Sequence, residues 1–250
     1  EAGVVSTIDS GTSHLVFFFK DTATTEIYLF PSPTLSDLDL HNFASAGLAE
    51  LYTENKLASA LRLEANTLES GVLINDGGAV FSWRPLPRIV QIAPAFGVVL
   101  EDIDGDGDLD AVLAQNSFSP QRETGRMDGG LGQVLLNDGA GHFSALTPKT
   151  SGVEIPGDAK SLSVADLDAD GRPDLIFGMN NGATITYLGR GGKIPLAVRL
   201  ESKAGNPTAV GARVTIADQI REQHAGGGYA SQSTATLYFA HPGEAAKAPV

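Results

Sequence analysis

Two independent markers recur at one interval, and that periodicity constrains the fold more than any bulk property. GVLINDGGAVFSW from Gly71 and GQVLLNDGAGHFSA from Gly132 each hold an apolar strand, an Asn-Asp-Gly turn and a later Phe (Phe81, Phe143), with Asn75 and Asn137 62 residues apart. DIDGDGDLDAVLA from Asp102 and DLDADGRPDLIFG from Asp166 repeat an acidic loop 64 residues apart. A shared interval of this length marks an internal repeat, whose units bury a core by stacking on one another. Each unit reads as acidic loop, strand, connecting loop, strand, Asn-Asp-Gly turn and strand. The turn residues tolerate the positive φ that tight hairpins need. Short strands between such turns, in a chain with 29 Gly and 13 Pro, fit the blades of a propeller. A third acidic loop is due near residue 39, where only SDLDLHN stands, so that copy is absent or degraded.

One segment breaks the pattern. Residues 41–70 are rich in Ala, lack Pro, and space Leu48, Leu51, Leu57, Leu61 and Leu63 roughly as a helix does. They predict a helical hairpin inserted into the propeller and packed on its core.

The acidic loops carry the chemistry. Counted from Asp102, carboxylates stand at positions 1, 3, 5 and 9 (Asp102, Asp104, Asp106, Asp110), with Gly107 at 6 and Asp108 at 7. The second copy holds Asp166, Asp168, Asp170 and Asp174, with Gly171 at 6 and Arg172 at 7. Carboxylates on alternate residues of a tight turn can converge on one hard cation, and calcium takes six to eight oxygens, commonly including a carbonyl at position 7. An EF-hand begins the same way but requires a bidentate Glu at position 12 and flanking helices. Position 12 is Leu113 in one copy and Phe177 in the other, and both loops run directly into apolar strands. A catalytic dyad needs only two carboxylates, whereas four or five crowded together need a cation or protons to offset their repulsion. The bland alternative is a solvated acidic turn.

These loops resemble the calcium loops of FG-GAP/VCBS repeats, the blades of integrin-α-type β-propellers. DIDGDGDLDAVLAQN and ADLDADGRPDLIFGMNN carry the D-x-D-x-D-G-x-x-D pattern with its apolar strand, and GQVLLNDGAGHFSA carries the hairpin that ends such a blade. The resemblance covers roughly residues 71–192. It implies two structural Ca2+ sites, at Asp102, Asp104, Asp106, Asp108 and Asp110 and at Asp166, Asp168, Asp170, Arg172 and Asp174, with Asp108 and Arg172 contributing only backbone carbonyls. Metal binding would then be linked to folding rather than to turnover.

After TYLGRGGK the character changes. Strands are expected at 196–201, 212–217 and 235–240, without an acidic loop. NPTAVGARVTI (Asn206 to Ile216) and GGGYASQS (Gly226 to Ser233) resemble the ASPIC/UnbV domain, which often follows FG-GAP repeats, as in the cartilage acidic protein family. That domain normally continues into a further strand with a Trp-Pro-x-Gly ending, whereas this sequence stops at EAAKAPV, so the domain reads as cut short. Tyr229, Ser231, Gln232 and Ser233 are either a binding patch or a turn whose side chains satisfy local backbone groups. No G-x-S-x-G surrounds Ser231, and no histidine pair has zinc spacing.

Two further stretches carry less. SHLVFFFKDTATTEIYLF, residues 13–30, is either an ordinary β-strand segment or an artefact, since it resembles the peptide obtained when sequencing-adapter DNA is translated. No function is read from residues 1–37. The connection 116–130, with Arg122, Glu123, Arg126 and Asp128, is a candidate recognition surface or a tolerated insertion.

Composition narrows the function classes. A formal net charge of −13 argues against a nucleic-acid partner and suits cation binding. The chain has no cysteine, which excludes disulfides and thiolate zinc sites, and no apolar run long enough to span a membrane. It begins on Glu1 and shows no signal peptide, as expected of a fragment or mature piece.

The expectation is a mainly β chain in three parts. Residues 1–37 are unassigned, residues 38–192 form a partial β-propeller with the helical insertion, and residues 196–250 form a small ASPIC/UnbV-like β-domain. Its expected role is non-enzymatic: a secreted, extracellular or periplasmic calcium-binding adhesion module with a protein or glycan partner. The alternative is an enzyme, or an enzyme-associated subunit of a biosynthetic pathway, with its active site outside this sequence.

Overall fold

The computed structural model describes residues 5–9, 14–18, 26–28, 45–51, 54–120, 124–203 and 205–241. SDLDLHN, Arg122, Glu123 and the EAAKAPV ending lie outside the described residues. Contacts divide the chain into two compact units, Thr22–Leu68 and the remainder.

In chain order, the elements begin with β1 (Val5–Asp9), β2 (His14–Phe18), β3 (Glu26–Tyr28), α1 (Leu48–Leu51), α2 (Glu54–Ser59), β4 (Arg62–Glu64), β5 (Gly71–Gly77) and β6 (Val80–Pro85). The next sheet runs β7 (Ala95–Glu101), β8 (Asp110–Gln115), β9 (Gln133–Asn137) and β10 (Phe143–Ala145). After α3 (Pro148–Ser151) come β11 (Ala159–Ala165), β12 (Asp174–Met179) and β13 (Ile185–Tyr187). The chain continues through β14 (Leu196–Arg199), β15 (Arg213–Ile216), β16 (Gln219–Glu222) and β17 (Thr236–Phe239).

Three antiparallel sheets act as blades: β1-β2-β5-β6, then β7-β8-β9-β10, then β11-β12-β13. This is a mainly β, partial-propeller arrangement, and among the described residues the sheets do not close a ring. Each acidic loop joins the first and second strands of its blade (β7 to β8, β11 to β12), so the blade starts one strand before the acidic loop. The Asn-Asp-Gly turns join β5 to β6 and β9 to β10. Asn75 and Asn137 both hold their turns through the side-chain oxygen, but over different spans: Asn75 accepts from Gly77 N two residues on (2.9 Å) and Asn137 from Gly141 N four residues on (3.0 Å).

Burial explains why β8 reads as an unbroken apolar run. All six of its residues are buried. Ala111 and Leu113 join a core with Val72 and Ile74 of the preceding blade, while Val112 and Ala114 join a second core with Leu162, Val164 and Phe177 of the following one. The period of two therefore distributes one strand between two interfaces. Neighbouring blades meet closely at Gly97, where a Cβ would lie 2.7 Å from Leu162 N and 2.8 Å from its Cβ.

The unit Thr22–Leu68 departs from the predicted helical hairpin. Its helices are four and six residues long, and Arg62–Glu64 pairs as a strand with Glu26–Tyr28. Helices this short gain little from propensity and need an apolar face to pack. None of the residues of α2 is buried, and Leu48, Leu61 and Leu68 are exposed, so among the described side chains the helical Leu spacing does not build a core.

The three expected C-terminal strands are present, with a fourth, β16, that no sequence signal marks. They form two ladders, β14 with β17 and β15 with β16. The segment 231–234 lies along the free edge of β11. Ser231 Oγ accepts from Leu162 N (3.0 Å), Ser233 Oγ accepts from Val164 N (3.0 Å), and Thr234 N donates to Val164 O (3.0 Å). Within the turn, Ser231 Oγ donates to Tyr229 O (2.7 Å) and Gln232 Nε2 to Ser233 O (3.0 Å), so side chains do satisfy local backbone groups; both serines also satisfy backbone groups of a strand 69 residues away. Tyr229 stacks edge-on against Phe96, with centroids 5.5 Å apart.

Candidate metal centre

The Asp–Gly pattern gives both acidic loops the same internal wiring. Asp102 Oδ1 accepts from Gly105 N (2.7 Å) and Asp106 N (3.1 Å), and Oδ2 accepts from Gly107 N (3.0 Å). In the second loop, Asp166 accepts from Asp170 N (3.1 Å) and Gly171 N (3.0 Å). The glycine at position 6 has φ 101 in one loop and 86 in the other, a left-handed geometry that a side chain would strain.

Position 9 anchors each loop to its sheet. Asp110 is fully buried, and its carboxylate accepts from Ile103 N (2.8 Å) and from Asn137 N of β9 (2.8 Å). Asp174, also fully buried, accepts from Leu167 N (2.7 Å) and Gly189 N (2.7 Å). One carboxylate thus closes the loop and grips the next strand or the residues just after it.

The outcome is two matching triads. Asp102, Asp104 and Asp110 each offer a carboxylate oxygen within 4.8 Å of the others, and so do Asp166, Asp168 and Asp174. Such clusters can hold a metal ion, and their all-oxygen donor set suits a hard one. Positions 5 and 7 differ from this core. Asp106 Oδ1 caps Asp108 N (2.9 Å), and the Asp108 carboxylate lies against Gly139 in the β9–β10 turn, which leaves no room there for a Cβ. Asp170 Oδ1 caps Arg172 N (2.9 Å) in the same way.

The two loops differ in how their charge is met. Burial pushes the Asp110 carboxyl up to about 7, against the lowering effect of its two N–H partners. Burial also raises Asp102 and Asp108, and the neighbouring loop carboxylates add to both shifts. No ion pair reaches this loop among the described residues. The second loop carries its own cations. Arg190 Nη1 donates to Asp168 (2.7 Å) and Asp170 (3.2 Å), and Arg172 Nη1 donates to Asp170 (3.1 Å). The Arg190 bond holds the Asp168 carboxyl below its ordinary value. No motif marks Arg190, which follows β13 in GRGGK and carries no signal of its role in the sequence.

A family model described as an FG-GAP-like repeat matches residues 119–177. The match spans the connection of the second blade, β9 to β11 and the Asp166 loop, and ends within β12. The chain therefore contains an FG-GAP-like repeat across the junction of two blades. No curated protein and no solved structure matches the chain significantly.

Proposed function

We propose that the chain is a calcium-stabilised, non-enzymatic binding module built on a partial propeller, followed from residue 196 by an ASPIC/UnbV-like β-domain. The observation that carries this reading is the recurrence of one Asp triad at the same step of two consecutive blades. A solvated acidic turn would have no need to bury its ninth residue twice.

In this reading Asp102, Asp104, Asp106 and Asp110, with the Asp108 carbonyl, hold one Ca2+. Asp166, Asp168, Asp170 and Asp174, with the Arg172 carbonyl, hold the other. Bound calcium supplies counter-charge to the crowded carboxylates. The chain's own residues do the rest: Asp110 and Asp174 transmit the ordering of each loop to the strand or turn whose N–H they grip. At the second loop the ion competes with Arg190 for Asp168 and Asp170, so that site is the weaker. An extracellular or periplasmic setting suits such loops, because calcium modules there function with affinities of about 10⁻⁴–10⁻³ M. The partner is a protein or glycan met by the loops at the blade ends. Among the described residues no helix is long and apolar enough to cross a membrane.

The test is calorimetric melting of chelator-treated protein with and without calcium, beside a metal analysis. Ten millimolar calcium at those affinities stabilises by about 1.4–2.7 kcal/mol per site. An unchanged melting temperature and no bound calcium would overturn the proposal.

A further inference from the structure

The second blade shows how a junction between blades is closed. Strand β10 pairs antiparallel with β9, which sets Phe143 opposite Asn137 and Ala145 opposite Leu135. Phe143 and Ala145 pack on the core that this blade shares with the first. The turn before β10 also closes on the first blade. Arg84 Nη1 donates to Ala140 O, and Gly141 lies so close to Ile74 that a Cβ there has no room.

The third blade lacks this closure. Gly189 N donates to Asp174 as Asn137 N donates to Asp110, so the two residues hold equivalent places. Six residues after Asn137 stands Phe143, whereas six after Gly189 stands Pro195, and the chain then leaves in β14 to pair with β17. The sheet β11-β12-β13 therefore has three strands, and among the described residues none pairs with the outer edge of β13. A cavity of about 440 Å³ opens at the corresponding place, against the second blade. Val134 and Leu136, which line it, hold the repeat positions of Val72 and Ile74, 62 residues on. Leu146, Leu175 and Tyr187 also line it, and these half-buried side chains are the margin of the core between the second and third blades. The cavity is thus that core left open, and its size lies within the roughly 300–1,000 Å³ of ligand sites.

An unpaired strand edge beside an unfilled apolar cavity suits an occupant that offers both a backbone to pair and a side chain to bury. We propose that the third blade takes its fourth strand from a protein partner. An extended segment of the partner adds antiparallel to the outer edge of β13 and sets an aromatic side chain in the cavity. A small residue follows two positions on, as Ala145 follows Phe143 in the second blade. Backbone bonds supply the pairing, and the aromatic group supplies the selectivity. The proposal rests on the reading of the chain as a binding module and narrows its partner to a protein rather than a glycan.

The probe is a synthetic end-capped peptide GHFSALT, which copies the chain's own residues 141–147. It is titrated into the full chain at fixed, saturating calcium, because Asp102, Asp104 and Arg190 also line the cavity. Binding is expected at sub-millimolar concentration, with slowed amide exchange in β13 and cross-relaxation from the peptide ring to the methyls of Leu136 and Leu146. The same peptide with Ala in place of Phe should bind at least about tenfold more weakly, since the ring is most of the apolar surface it buries. Leu188→Asp, at an exposed residue of the cavity wall, should weaken the original peptide as much, and Val210→Asp, at an exposed residue outside it, should not. Should Leu188→Asp fail to fold, cross-relaxation in the unaltered protein locates the peptide. Absence of binding at several millimolar overturns the proposal, and a melting temperature still raised by calcium would then leave the calcium reading standing. So do equal binding of the Ala peptide, equal binding by a folded Leu188→Asp variant, and protection gained along β6 or β10 instead of β13. Dimerisation of the chain that the peptide dissolves gives the place to a second copy and overturns it too.

Discussion

Replacing Asp110 by Asn separates what the first acidic loop costs from what a cation recovers. The carboxylate is fully buried, and burial carries its pKa from 3.8 to about 7 although two backbone N–H groups favour the charged form. A displacement of that size corresponds to about 4 kcal/mol. The folded state holds this proton more tightly than the unfolded chain does. Its contribution is therefore fully present below the unfolded pKa and is lost as pH rises through the folded one, between about pH 4 and pH 7. Burial also pushes Glu101 up to about 8, and Asp102 and Asp108 upward, so the loss in the metal-free protein continues toward pH 8.

The amide of the Asp110→Asn variant cannot charge, so the variant should lack that share of the slope. Urea unfolding of metal-free protein should lose about 4 kcal/mol less between pH 4 and pH 8 in the variant than in the parent, or roughly 10 °C less in melting temperature. The amide also presents one oxygen to two donors, Ile103 N and Asn137 N. That leaves a pH-independent cost of about 1–3 kcal/mol, which is why the slope is measured and not the stability at one pH. Calcium should restore the parent at pH 8 and leave the first loop of the variant unimproved. Identical pH slopes without metal, or equal calcium shifts in both proteins, would refute the reasoning.

Arg190→Gln should tighten calcium at the second loop several-fold, because the ion no longer competes for Asp168 and Asp170; a two-site calorimetric titration indistinguishable from the parent's counts against this. Ser231→Ala and Ser233→Ala should each cost about 1–2 kcal/mol by leaving a strand N–H without its acceptor. Amide exchange at Leu162 and Val164 respectively should accelerate, and unchanged protection would show that the edge is held by other means. Gly97→Val should destabilise by at least about 1–3 kcal/mol, since the added Cβ meets the backbone of β11 and not a side chain that can swing away. Melting within a degree of the parent would contradict the close approach.

The parts legible in the sequence are those fixed by local chemistry. Asp at alternate positions with Gly at position 6 dictates a turn, and Asn-Asp-Gly dictates a hairpin, whatever surrounds them. The continuous apolar run of β8 also signals a strand buried on both faces. Other features depended on distant partners. The Leu spacing of residues 48–63 has helical period, yet Arg62–Glu64 finds a β partner, and Leu48 and Leu61 are exposed. Ser231 makes the local backbone bond the turn suggests, but the strand that Ser231 and Ser233 also serve lies far upstream and leaves no mark near them. Strand β16 was not expected from the sequence, and nothing local in QIREQ shows that its polar face turns inward. Arg190 has no periodic place in either repeat, and only the fold brings it to Asp168.

The two loops, alike in sequence, are therefore unlike in their demand for a cation. The second meets much of its charge within its own blade, through Arg172 and Arg190. The first has no such arginine. Beside it stands the β15–β16 hairpin, where Asp218 adds repulsion to Asp108 and Gln219 packs at Gly107. Arg221 feels the charge of Asp102 and Asp108 but spends no hydrogen bond on either. A cation at the first loop would thus relieve repulsion across a junction between blade and hairpin, whereas one at the second only exchanges one counter-ion for another. Repeated motifs fix where ions can bind; the non-repeated residues around them decide which ion matters to the rest of the chain.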